Sequence, residues 1–212
     1  MQNKGAAQPP PAFMEELQTA ISLAKEAGRA IWMARHSTED LQAKRAMICT
    51  VLKEKFPHST WAVNQPAENS GVQIGLSQEG QAVLGVNYFP GSDTLYWAVR
   101  GQGAYRQIGD GPLERLQLLS SGIEVPTPVT YVENVALAIC RIAEGSPYNV
   151  YFSKAGAPED FLAVDILLSE AGGILTDWRG RRIDYRQPNF EGIIACSNRR
   201  FYPTILAELE TK

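Results

Sequence analysis

From Val72 to Arg106 the hydrophobic pattern has a period of two, broken only by short clusters of turn-forming residues, and this block limits the fold more than any other. Val72, Ile74 and Leu76 alternate with Gln73, Gly75 and Ser77. After Gln78-Glu79-Gly80-Gln81 the alternation resumes at Ala82, Leu84, Val86 and Tyr88. Gly80 is free to take positive φ, so the spacing predicts a hairpin. Pro90-Gly91-Ser92-Asp93 turns the chain into Leu95–Val99, and Gly101-Gln102-Gly103 turns it into Ala104–Arg106. The prediction is an antiparallel meander of about four strands.

Helical spacing flanks this block. Met14, Leu17, Ile21, Ala24 and Ile31 fall in steps of three and four, with one turn skipped at Gly28, and predict a helix to about Arg35. Ser37 and Asp40 place a hydroxyl and a carboxylate three residues apart, a capping-box-like start for a second helix that runs to about Lys55 and is ended by Phe56-Pro57. Trp61 to Ser70 reads as a short strand and a loop. Beyond the meander, helices alternate with strands: a helix from Val132 to Ala143, a strand from Tyr148 to Phe152, and a helix from Phe161 to Ala171 stopped by Gly172-Gly173. Buried strands follow at Ile174–Trp178 and Ile193–Cys196, then a last helix over Phe201–Leu209. Grouped strands followed by interleaved helices and strands predict a layered α/β (α+β) helix–sheet sandwich.

Composition narrows the function classes. The 212 residues are 44% hydrophobic and 20% charged, enough apolar surface for one core, and the formal net charge of −3 provides no basic field for a nucleic acid polymer or an anionic membrane. Phosphate binding would have to be local. Residues 1–12, rich in Pro, Gln and Ala, read as a flexible tail, leaving 13–212 as one domain. No apolar run approaches the ~18 residues of a membrane span, and Cys49, Cys140 and Cys196 form no C-x-x-C pair, which favours a reducing, cytoplasmic setting over a disulfide or thiolate-zinc scaffold.

Several tempting motifs fail on context. Gly101-Gln102-Gly103 lacks the third glycine and the helix of a dinucleotide fingerprint and reads as a β-turn. Walker, zincin and nucleophile-elbow patterns are missing. His36 and His58 sit at helix ends without a partner at ligand spacing, and Trp97 and Trp178 are accounted for by packing. Arg179, Arg181, Arg182 and Arg186 surround Gly180 as a solvated loop, although guanidinium groups near a cleft would suit a phosphate.

One stretch is more specific. Lys154-Ala-Gly-Ala-Pro-Glu-Asp160 through Glu170-Ala-Gly-Gly173 to Thr176-Asp177 resembles the C-terminal signature of the inositol monophosphatase superfamily, in which Trp-Asp opens a helix ending in Glu-Ala-Gly-Gly. Ile21–Ile31, Val72-Gln-Ile-Gly-Leu76, Tyr88-Phe-Pro90, Gly101-Gln-Gly-Ala-Tyr105 and Ile139–Gly145 follow in the family's order, and two of these segments are most similar to the 3′(2′),5′-bisphosphate nucleotidase branch. The resemblance implies the family's sandwich fold in shortened form and a Mg²⁺-dependent phosphatase acting on a small phosphorylated metabolite, an inositol phosphate or a bisphosphonucleoside. A homodimer is a further expectation for the chain, and its oligomeric state is not read from the sequence.

Carried over residue by residue, the resemblance makes Asp160 a Mg²⁺ ligand, although Glu159 replaces the family's Trp. It also makes Asp40, with Ser37, the pair that orients the attacking water. Paired Mg²⁺ ions need several converging carboxylates. The Asp-Pro-Ile-Asp-Gly-Thr motif and the Glu-Glu pair that supply them are missing, and Glu68, Asp93 and Glu159 are the candidate replacements. Substrate-binding residues are not marked. Two functions therefore stand side by side: a Mg²⁺-dependent phosphomonoesterase, and a catalytically inactive relative serving as a binding or partner subunit or representing an internally deleted form.

Overall fold

The two-residue turn Glu79-Gly80, with φ of 51° and 77°, sets the register of the first sheet. Positive φ at both central positions matches the twist of the flanking strands, so β2 (Val72–Gln78) and β3 (Gln81–Phe89) pair directly from Gln78↔Gln81, with a bulge between Leu76 and Ser77. A 3₁₀ turn at Pro90–Ser92 leads into β4 (Thr94–Val99), and the Gly101-Gln102 turn leads into β5 (Gly103–Ile108). The predicted meander is present, and two short strands extend it at its edges. β1 (Thr60–Val63) pairs with β2, and β6 (Glu114–Leu116) pairs with β5, giving an antiparallel sheet of six strands in sequence order.

In this computed structural model, residues 12–34, 38–64, 71–118, 128–129, 134–145, 150–198, 202–203 and 207 are described. The tail assigned to residues 1–12 lies outside them up to residue 11, and the Ala12 carbonyl accepts a hydrogen bond from Gln102 at 2.7 Å. Ser37, His36, Glu68 and most of the predicted last helix also lie outside the described residues.

Helices α1 (Met14–Ala34) and α2 (Thr38–Lys55) form a layer on one face of this sheet. The α1 stripe of Leu17, Ala20, Ala24, Ala27 and Ile31 buries against Val72, Ile74, Val86 and Tyr88. The gap in that stripe has a use: a Cβ at Gly28 would sit 2.6 Å from the Tyr88 ring. The other face carries α3 (Val135–Ala143), whose Asn134 cap accepts the Leu137 N–H at 3.0 Å, and α4 (Pro158–Ala171). Polar and small residues alternating along β2 and β3 thus face a helix. Gly75 and Gly85 admit α4 so closely that a Cβ on Gly85 would lie 2.3 Å from the Ala163 carbonyl oxygen.

Behind α3 and α4 lies a second sheet in the order β7 (Pro128–Val129), β8 (Val150–Gly156), β10 (Phe190–Cys196) and β9 (Ile174–Thr176). It is antiparallel apart from the β7–β8 pair. The predicted strand Tyr148–Phe152 is shifted toward Gly156, and Trp178 leaves β9 so that its indole covers Gly192. Helix α4, apolar nearly all round, lies between the two sheets and is stopped by Gly172 at φ 104°. The result is the expected layered sandwich of mixed helix and sheet. Among the described residues no helix is long and apolar enough to cross a membrane, and the three thiols are free.

Candidate functional site at the entry of helix α4

The first turn of α4 brings two acids to one place. Pro158 occupies the first helical position, where its missing N–H costs nothing, and Ala157 caps without a side chain, so Glu159 and Asp160 face the positive end of the helix dipole. Burial raises the Asp160 carboxyl above its ordinary range, the neighbouring Glu159 charge raises it further, and Arg45 opposes both.

Arg45 comes from the middle of α2. Its Nε donates to the Val63 carbonyl at 2.7 Å, and its Nη2 reaches Glu159 at 3.7 Å, so one guanidinium joins α2, the end of β1 and the entry of α4. The residue after Val63 is Asn64, buried, whose side-chain oxygen accepts the Gln73 N–H at 2.8 Å while its amide donates to the Gly71 carbonyl at 3.4 Å. The end of β1 next to α4 therefore carries an amide turned onto the backbone. Neither Arg45 nor Asn64 was marked by the sequence. A strand ending in Asn and a lone arginine among exposed α2 positions are weak signals until the tertiary packing brings them together.

Asp40 lies in the exposed first turn of α2, one and a half turns before Arg45. Its proposed partner Ser37 is outside the described residues, as is Glu68. Asp93 is held elsewhere: at φ 44° it closes the 3₁₀ turn and accepts the Tyr88 hydroxyl at 2.7 Å, on the side of the sheet that α1 covers. Glu159 is the candidate replacement that stands beside Asp160, and it is paired with Arg45.

Solved structures share this fold. An inositol monophosphatase II from Staphylococcus aureus superposes with a TM-score of 0.77 at 20% identity, over 91% of this chain and 94% of that one. CysQ from Bacteroides thetaiotaomicron, a bacterial member of the same family, superposes at 0.69 and 17% identity, over 88% and 98%. The profile of the inositol monophosphatase family matches residues 115–212, the part that holds α3, α4 and the second sheet. Over residues 115–212 the chain is similar to the inositol monophosphatase family, and its fold is that of the family's solved structures.

Among curated proteins, the 3′(2′),5′-bisphosphate nucleotidase 1 of Mus musculus is 27% identical over 170 residues, which cover 66% of this chain. A histidinol-phosphatase of Chlorobaculum parvum is 30% identical over 150 residues, 60% of this chain. The chain spans about half the length of these curated relatives, 55% and 56% respectively. The family is generally Mg²⁺-dependent. The described residues do not fit a pair of such ions: no three of their Asp, Glu, His or Cys side chains come close enough together to hold a metal, and the acids that do meet share their space with a guanidinium.

Proposed function

We propose that this chain is a phosphatase-family protein that uses the sandwich fold as a binding or partner subunit without Mg²⁺-dependent hydrolysis. The observation that carries this reading is Arg45, which stands 3.7 Å from Glu159 at the entry of α4 and lends a fixed positive charge to the place where metal-bound carboxylates would be needed. A fixed cation beside two acids reduces their attraction for a divalent ion and turns them toward joining α2 to α4. Free thiols, one of them exposed, support a reducing, cytoplasmic setting, and a homodimer is the assembly proposed.

A second reading has an observation of its own. Similarity to a 3′(2′),5′-bisphosphate nucleotidase favours a phosphomonoesterase acting on a bisphosphonucleoside or an inositol phosphate, with Asp160 on Mg²⁺ and Asp40 with Ser37 on the attacking water. Phosphate release from a panel of inositol phosphates and bisphosphonucleosides, with and without Mg²⁺, separates the two. The expected result is no Mg²⁺-dependent release above that of Asp160→Asn. Release that Mg²⁺ stimulates and that Asp160→Asn or Asp40→Asn lowers tenfold or more would overturn the binding-subunit reading.

A further inference from the structure

The C-terminal half of α4 lines a cavity of ≈ 270 Å³ that is separate from the acids at the helix entry. Its polar wall consists of Arg100, Asp165, Ser169, Glu170 and Arg182, with Gln81 at the β2–β3 turn, and Leu175 and Ile183 contribute apolar surface. Three elements supply the charged groups, and each is fixed. Glu170 accepts the N–H groups of Gly101 and Gly103 at 2.9 and 2.8 Å, which ties the β4–β5 turn to α4. Beside that turn, the Arg100 backbone N–H bonds the Val83 carbonyl at 2.8 Å and its guanidinium bonds that of Ala82. The segment between β9 and β10 is pinned by the Tyr185 N–H on the Gly80 carbonyl at 2.8 Å.

That segment also divides the arginine cluster. Arg181 and Arg186 are engaged by Asp177 and Asp184, each at 2.7 Å, whereas Arg182 lines the cavity. Asp165 takes its hydrogen bonds from neutral donors, the Tyr185 hydroxyl at 2.9 Å and the Ser169 hydroxyl at 3.2 Å. Arg100 and Arg182 act on it through space. Two guanidinium groups therefore border one small cavity while the acid in the same wall is satisfied by hydroxyls. This is the donor arrangement that recognises an oxyanion.

We propose that this cavity binds a small oxyanion, the phosphate or carboxylate group of a compact metabolite, between Arg100 and Arg182 with the Ser169 side of α4 as its floor. The volume lies just below the ~300–1,000 Å³ usual for ligand pockets, which suits a few heavy atoms beyond the anionic group and not a nucleotide. The site is independent of the acids at the α4 entry and of the binding-subunit reading.

Proton uptake follows from the same geometry. Burial pushes the Asp165 carboxyl up to about 6, against the pull of the two hydroxyls and of Arg182 and Arg100. Ionised, it repels an incoming anion; protonated, it does not. The remaining charged group facing the cavity is Glu170, whose carboxylate is held by two backbone N–H groups. By linkage, anion affinity rises as pH falls through 6, and a bound anion raises the proton affinity of Asp165.

Calorimetric titration of the full chain with sulfate, which keeps its two charges over this range, tests the site at pH 5.2 and 7.5 at constant ionic strength. Inorganic phosphate and malonate serve as further arms that distinguish a phosphate from a carboxylate preference. The expected result is saturable binding at least fivefold tighter at the lower pH, weakened about tenfold by Arg182→Ala, the effect of one charge-assisted hydrogen bond. Asp165→Asn should bind at pH 7.5 as wild type does at pH 5.2. Arg182→Gln, at a wild-type urea midpoint, repeats the arginine test should Arg182→Ala lose folding. Three outcomes overturn the proposal: no saturable binding of any of the three anions, binding that the Arg182 variants leave within twofold, or binding lost in Arg45→Ala and kept in Arg182→Ala. The phosphate-release assay reads the α4 entry alone, so the two proposals fail separately.

Discussion

Asp160 and Asp165 lie on one helix about 7.5 Å apart along its axis, and burial raises both carboxyls, yet their surroundings differ. Asp160 stands at the solvent-facing entry of α4 with a second acid beside it and Arg45 joined to that acid. Asp165 stands in a cavity wall, held by two hydroxyls, with two arginines acting across the space. At the entry, the cation is tied by a short hydrogen bond to the Val63 carbonyl and holds elements together. In the cavity, one of the two cations, Arg182, lies outside the ion pairs that engage its neighbours in sequence. A carboxylate next to an arginine is thus a brace in one place and part of a receptor in the other, and what separates them is that Arg45 is paired with the acid beside Asp160 whereas Arg182 lines the cavity outside the ion pairs of its neighbours.

The comparison depends on α4 being one fixed rod, and Gly85→Val breaks it most severely. A Cβ there would lie 2.3 Å from the Ala163 carbonyl oxygen and 2.6 Å from an Ile166 methyl, both on α4, with sheet backbone on the other side. Nothing in that contact is a flexible side-chain end except the Ile methyl. The expected loss is about 3 kcal/mol or more, the upper end for overpacking a core, read as a lowered urea midpoint with both ends of α4 disturbed together. A variant with a wild-type midpoint would show that α4 can shift on the sheet.

Asp165→Asn sharpens the comparison through pH. A carboxyl whose folded pKa of about 6 exceeds the unfolded value of ~3.9 binds its proton more tightly in the folded state. Its contribution is therefore fully present below pH ~4 and is lost as pH rises through 6, a change on the order of 2 kcal/mol once the opening to solvent is allowed for. Asp184, lowered to about 2 by its Arg186 pair, acts in the opposite direction and below this window. Urea midpoints between pH 4 and 7 should fall with rising pH in the wild type and lose most of that slope in Asp165→Asn. Asp160→Asn, at the more exposed position, should remove less of it. Equal effects would erase the distinction between the two acids.

What could be read in advance was local. The α1 stripe, the hairpin turn at Gly80, the Gly172 stop and the acid at the opening of α4 all depend on residues within a turn or two of each other. Of the edge strands, β1 was legible as a short strand at Trp61, whereas β6, three residues long, carries too little periodicity and is defined by its partner. The alternation in β2 and β3 was visible, but not that its glycines face a helix more than seventy residues away in sequence. At the candidate site the contrast is greater still. Asp160 follows from a short motif, whereas Arg45 reaches the neighbouring Glu159 across 114 positions and matters only once α2 packs on β1. Asp165 did leave a trace, as the one charged residue in the otherwise apolar run from Phe161 to Leu168. In the arginine cluster, Asp177 and Asp184 take Arg181 and Arg186, and Arg182 is the member that lines the cavity.

Arg45→Ala carries the smallest expected effect and bears most directly on how the entry of α4 is used. The substitution removes the 2.7 Å hydrogen bond to the Val63 carbonyl and the 3.7 Å pair with Glu159, in which both side chains are just over a third exposed. The pair contributes little at such exposure, and the hydrogen bond about 1 kcal/mol, so the midpoint should fall by about that amount. Loss of the cation also removes what holds the Asp160 carboxyl down, so its titration, followed by NMR, should move to higher pH. Arg45→Lys should restore the titration and not the stability, because a lysine supplies the charge without the planar fork that reaches both partners. If Arg45→Ala left the Asp160 titration in place, the arginine would be a packing residue only, and the entry of α4 would owe its chemistry to the helix and its two acids.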